Sequence, residues 1–199
     1  SLEPVLINQT QNQLHDIHWF RTDWQRSGAA TGFAKWNGTK GENTDVVIKF
    51  PVVERELRWT RNLQHACGVA PRLFASGDQL NGYDLAWMVI ERFPVGPLGK
   101  HWEESHINRI ADAAARFTKS ASEFPIDQQG RREDWDAMLG KAKMSVRENH
   151  IKNESKWKKS HSLLTKKMNV ILDRWRGRRI DQWLHGDLHF ANAMCRSEE

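Results

Sequence analysis

The feature that most constrains how this chain folds is a break, Phe93-Pro94-Val95-Gly96-Pro97-Leu98-Gly99, between two stretches of different periodicity. Its prolines remove backbone donors and fix φ, and its glycines disfavour helix and strand alike, so no regular element runs through it. Before the break, short apolar runs bounded by turn residues read as strands. After it, apolar residues recur every three or four positions, as on one face of a helix. The pattern predicts an α+β chain in two lobes. Residues 1–93 form a small antiparallel sheet with one helix, and residues 94–199 form a mostly helical lobe.

In the first lobe, the opening twenty residues give no clear period, and His15 and His18 beside Ile17, Trp19 and Phe20 read as packing residues. Strands are predicted at residues 24–26, 33–36 and 45–50, with a small-residue turn, Ser27-Gly28-Ala29-Ala30-Thr31-Gly32, before the second and a hairpin signal, Asn37-Gly38, after it. A helix follows over residues 53–64, with Leu57, Thr60 or Arg61, and Gln64 on one face. Two more strands are expected at residues 71–75 and 83–92, and the nearly all-apolar second one should be central. In the second lobe, Ile107, Ile110, Ala114, Phe117 and Ala121 fall at helical spacing, as do Trp157, His161, Leu164, Met168, Ile171 and Trp175. A shorter helix is expected over residues 135–146. Gly177 should end the last helix, and Gln182-Trp183-Leu184 should form a short strand.

That strand leads into His185-Gly186-Asp187-Leu188-His189-Phe190-Ala191-Asn192. An Asp followed five positions later by an Asn, with a His two positions before it, has the spacing of the kinase catalytic loop, where the Asp handles the acceptor's proton and the Asn binds magnesium. Lys49 closes the apolar strand Val46-Val47-Ile48, a setting suited to a cation for nucleotide phosphates, and Glu54 or Glu56 on the next helix could hold it. The turn containing Ser27, Gly28 and Thr31 lies where a phosphate-covering loop belongs, although it is not a G-x-G-x-x-G pattern.

In this order, and in the form His-Gly-Asp-Leu-His-x-x-Asn, these parts resemble the aminoglycoside phosphotransferase and choline kinase family across residues 23 to 196. Protein kinases typically have Arg where Gly186 stands. The resemblance implies a protein-kinase-like fold and transfer of the γ-phosphate of ATP, with Mg2+, to a hydroxyl of a small molecule. It implies Asp187 as catalytic base, His185 as scaffold of the loop, Asn192 as a magnesium ligand and His189 as structural. Lys49 would bind phosphates with Glu56 as its preferred partner, and Glu91 and Phe93 would belong to the inter-lobe hinge that meets adenine. The family places a second, stronger magnesium ligand, an Asp, shortly after the Asn, but here Ser197-Glu198-Glu199 follow instead. The chain is therefore expected to be C-terminally incomplete and to catalyse poorly by itself. A non-catalytic remnant is the alternative.

Charge bears on the acceptor. Residues 131–180 hold 15 Lys and Arg against 6 Asp and Glu, a local +9 in a chain of net +5. An acceptor pocket built there favours a neutral or anionic alcohol over a polycation, unless Glu133, Asp134 and Asp136 form a local acidic patch. A nucleic-acid-binding module would use the same charge and is the less favoured reading. A metal-dependent hydrolase built on His185, Asp187 and His189 is another. Two cysteines, Cys67 and Cys195, fit neither a disulfide framework nor a zinc spacing. With no leader and no membrane-length apolar run, a cytoplasmic protein without a membrane partner is expected.

Overall fold

The structure is a computed structural model that describes residues 2–20, 29–38, 41–66, 68–100, 102–126 and 134–197. The chain divides into two compact units, Ser1–Glu123 with Trp183–Glu199, and Phe124–Gln182. This division differs from the expected one at Phe93, because the proline-glycine break and the helix after it both lie inside the first unit.

In the first unit, strands β1 (Leu14–Phe20), β2 (Ala30–Asn37), β3 (Asn43–Phe50), β4 (Leu73–Gly77) and β5 (Trp87–Glu91) form an antiparallel sheet in the order β1-β2-β3-β5-β4. The apolar strand β5 is interior, as its composition predicts. Side chains alternate across the pleat, so the sheet has two different faces. One buries Trp36, Val46, Ile48, Trp87 and Val89 with Leu6 of the N-terminal helix α1 (Glu3–Gln9). The other packs Met88 with Val52 and with Leu57 of helix α2 (Glu54–Asn62). Gln64, just past α2, ties helix to sheet: its amide accepts from Leu73 N at 2.7 Å and donates to Pro71 O at 2.9 Å. Helix α3 (Ser105–Ala121) follows the break.

Four expectations are corrected. Residues 3–9 and 14–20 are α1 and β1, elements that the mixed pattern there had concealed. His18 is exposed rather than packed, and His15 hydrogen-bonds Asn37 at 2.9 Å. Thr31 and Gly32 lie within β2 rather than in a turn, and Gly32 sits where a Cβ would meet the Trp19 ring at 2.9 Å, which explains a small residue inside a strand. Residues 182–184 are not a strand. The strand expected at residues 24–26 lies outside the described residues.

The second unit holds helices α4 (Trp135–Glu148) and α5 (Glu154–Arg176). Asp134 caps α4 by accepting from Ala137 N at 2.9 Å, and His161 of α5 bonds Leu139 O of α4 at 2.9 Å. Of the periodic stripe on α5, Met168 is buried while Trp157, Leu164, Ile171 and Trp175 are exposed. No described helix is long and apolar enough to cross a membrane.

Candidate active site

Strand parity places Lys49. Directly paired residues of antiparallel strands share a face, and Lys49 is paired with Met88 on the α2 side of the sheet. From there its ammonium donates to Glu56 Oε1, while Glu54 lies exposed at the helix start. The choice between the two glutamates thus falls to Glu56, one position before the buried Leu57 that anchors the helix to the sheet. Thr31 is buried and lies directly opposite Lys49 across the β2–β3 ladder.

The run from His185 to Asn192 folds on itself. Asn192 Nδ2 donates to Asp187 Oδ2 at 2.8 Å and to Asp187 O at 3.1 Å, so side chain and backbone of the Asp are gripped by one amide. Gly186 adopts φ +82°, a left-handed turn that disfavours a side chain and accounts for glycine between the His and the Asp. His185 Nδ1 accepts the Asp187 N–H at 3.3 Å, and His189 Nδ1 accepts the Ala191 N–H at 3.2 Å. Both rings therefore brace the loop, and His189 Nε2 lies 3.5 Å from Asp187 Oδ1. The Asp187 carboxylate stays largely exposed, open to a ligand.

An aromatic series ties this loop to α2. The Trp59 ring, on α2, lies 5.0 Å from Trp183 and 5.9 Å from Phe117 of α3, and Phe117 lies 5.9 Å from His185. These edge and tilted contacts connect the helix carrying Glu56 with the loop carrying Asp187.

A second connection runs along the break. Arg196 donates from Nε to Glu91 Oε1 at 2.8 Å and from Nη2 to Glu91 Oε2 at 2.7 Å, a two-pronged ion pair at the end of β5. The guanidinium also lies 5.2 Å from the Phe93 ring centroid. Val95 and Cys195 exchange backbone hydrogen bonds of 2.8 and 3.3 Å, and Leu98 N donates to Ala193 O at 2.9 Å. Burial pushes the Glu91 carboxyl up, but the Arg196 bonds and the Arg72 backbone N–H outweigh it and hold the group below the usual range. The Glu91 N–H itself is used by Arg72 O at 2.8 Å.

Of the residues singled out from sequence, Lys49 and Glu56 come together, as do His185, Asp187 and Asn192, and Glu91 lies beside Phe93 through Arg196. Ser27 and Gly28 lie outside the described residues. Arg196, Trp59, Phe117 and Trp183 were not anticipated. The partners Arg196 and Glu91 are 105 positions apart, so no local spacing could have signalled them. Among the described residues no group of three His, Cys, Asp or Glu is placed to hold a metal ion. Asp134, considered for a local acidic patch, is used as the α4 cap.

Asp187 and Asn192 offer oxygen donors only, the ligand chemistry of magnesium, which takes one or two protein oxygens and completes its shell with phosphate and water. The Asn192 amide nitrogen is directed at the Asp, leaving its oxygen for such a role.

The model of the phosphotransferase enzyme family matches residues 47–199. No curated protein matches the chain. A solved structure of aminoglycoside-3'-phosphotransferase of type VIII is similar, with 18% identity over 97% of this chain and 71% of that one, at a TM-score of 0.46.

Proposed function

The chain belongs to the phosphotransferase enzyme family, and from that premise we propose that it moves the γ-phosphate of ATP to a hydroxyl of a small molecule. The observation that carries this reading is the 2.8 Å bond from Asn192 to Asp187 in a loop braced by His185 and His189. That arrangement fixes one carboxylate for proton transfer and one amide oxygen beside it.

In the proposed reaction the acceptor oxygen forms a bond to the γ-phosphorus, the bond from that phosphorus to the bridging oxygen of ADP breaks, and Asp187 takes the hydroxyl proton. Lys49, held by Glu56, contributes positive charge toward the phosphates. Asn192 would be one protein ligand of Mg2+, which would supply charge neutralisation on the phosphates. In this reading Glu91 and Phe93 would belong to the hinge that takes the base, and Thr31 of β2 to the strand that covers the phosphates. A neutral or anionic alcohol remains the favoured acceptor, and a cytoplasmic setting the favoured one.

Transfer of labelled phosphate from ATP to a panel of hydroxyl compounds tests the proposal, with Asp187→Asn as reference. General-base catalysis is worth about 10² to 10⁴ in rate, so even slow transfer by the unaltered chain should exceed the variant by that order. Equal rates in the two proteins would overturn the assignment.

A further inference from the structure

The Glu91–Arg196 pair joins two segments 105 positions apart in sequence. Glu91 ends β5 and Phe93 follows two residues later, while Arg196 stands four residues beyond Asn192. The pair therefore joins the segment leaving the sheet to the segment leaving the catalytic run. Both Glu91 oxygens are engaged, Oε1 by Arg196 Nε and Oε2 by Arg196 Nη2 and the Arg72 N–H at 3.0 Å. The carboxylate is only 19% exposed. A two-pronged guanidinium–carboxylate contact fixes both separation and orientation, which a lysine or a single hydrogen bond does not.

Three further contacts repeat the same connection. Val95 pairs with Cys195, and Leu98 N donates to Ala193 O. Gly96, at φ +129°, lies so close to Met194 that a Cβ would sit 2.9 Å from its Cγ and 3.0 Å from its Cα. Arg109 of α3 also donates to Ser197 O at 3.3 Å, beside the ion pair. Residues 91–98 and 193–197 thus run as a two-stranded strap with the ion pair at its sheet end.

We propose that Glu91 and Arg196 are positioning residues whose ion pair sets the separation between the hinge that receives the base of the nucleotide and the loop that receives its phosphates and magnesium. The proposal rests on the phosphotransferase reading. Neither side chain needs to touch the nucleotide. The pair acts by holding Phe93 and Asn192 on one rigid strap, so that a ligand reaching from one to the other meets both without reorganising the chain. A ligand that occupies the hinge alone should not sense the pair.

Affinities of Mg-ATP and of adenosine for the 199-residue chain and its variants test this directly, because only the former spans hinge and loop. Arg196→Met is expected to weaken Mg-ATP by about tenfold or more, with adenosine changed less than about twofold, and Glu91→Gln to weaken Mg-ATP to a similar degree. The exchanged pair Glu91→Arg with Arg196→Glu should recover most of the loss. Arg196→Lys keeps the charge without the fork and should fall between, giving a readout even where the methionine variant folds poorly. Equal weakening of both ligands, or no change in either, would overturn the positioning role while leaving nucleotide binding by the unaltered chain intact. Failure of the unaltered chain to bind either ligand would instead overturn the phosphotransferase reading and the positioning role with it.

Discussion

Lys49 meets Glu56 through two local facts, the face on which strand parity places the lysine and the helix position just before Leu57. The contact was within reach of sequence reasoning because both facts are periodic. Asp187 and Asn192 were also legible, since a five-residue spacing in a tight loop brings its own ends together. Glu91 was singled out from the sequence but its partner was not, because an ion pair between positions 105 apart leaves no periodic trace. That pair also makes a pH prediction. The Glu91 carboxyl is held below its ordinary value in the folded chain, facing Arg196 and Arg72. Its stabilisation is therefore fully present above the ordinary glutamate range, near pH 4.3, and is lost as pH falls through its own lower folded value. Urea unfolding of the unaltered chain should show this acid loss, and Glu91→Gln should be less stable at neutral pH with a shallower decline. Parallel curves for the two proteins would contradict the assignment.

Among the elements, α2 and the strap each join the sheet to the run from His185 to Asn192, by different means. The helix does so through Leu57 in the sheet's second core and through the Trp59, Phe117 and Trp183 rings. The strap does so through backbone pairing at close range, which requires Gly96. Gly96→Ala should cost roughly 1–3 kcal/mol, from left-handed backbone strain and from contact with Met194. Because one of the atoms met is the Met194 Cα, trimming that side chain with Met194→Ala should not restore stability. Recovery in the double variant, read by thermal unfolding, would show that the backbone approach is not limiting. The apolar run of β5 announced an interior strand, whereas α1 and β1 escaped notice: Leu6 and Leu14 are the fully buried residues of segments that otherwise alternate irregularly. Burial of a single leucine per element is too sparse a pattern to show a period.

At the scale of the whole molecule, cohesion is uneven. In the first unit Val46, Ile48, Val89, Leu6, Leu14 and Leu80 are all but fully buried, whereas Met168 is the one buried apolar residue among the described residues of α4 and α5. Local opening is easier where fewer apolar groups are buried. Amide hydrogen exchange should accordingly leave β2, β3 and β5 protected longest, with α4 and α5 exchanging earlier, and uniform protection across both units would contradict this. The first unit also takes in Trp183–Glu199, so the run from His185 to Asn192 lies in the compact body that carries Lys49 and Glu56. The proline-glycine break was visible in sequence as an interruption, but not as a strap, because its partner is the distant segment 193–197. The most direct test of the phosphotransferase account is calorimetric titration of the 199-residue chain with ATP, in the presence and absence of Mg2+, alongside Lys49→Met and Asn192→Ala. The account predicts magnesium-enhanced binding by the unaltered chain, weaker binding by Lys49→Met, and loss of the magnesium enhancement in Asn192→Ala. Absence of binding by the unaltered chain, or binding that neither magnesium nor either substitution alters, would contradict it.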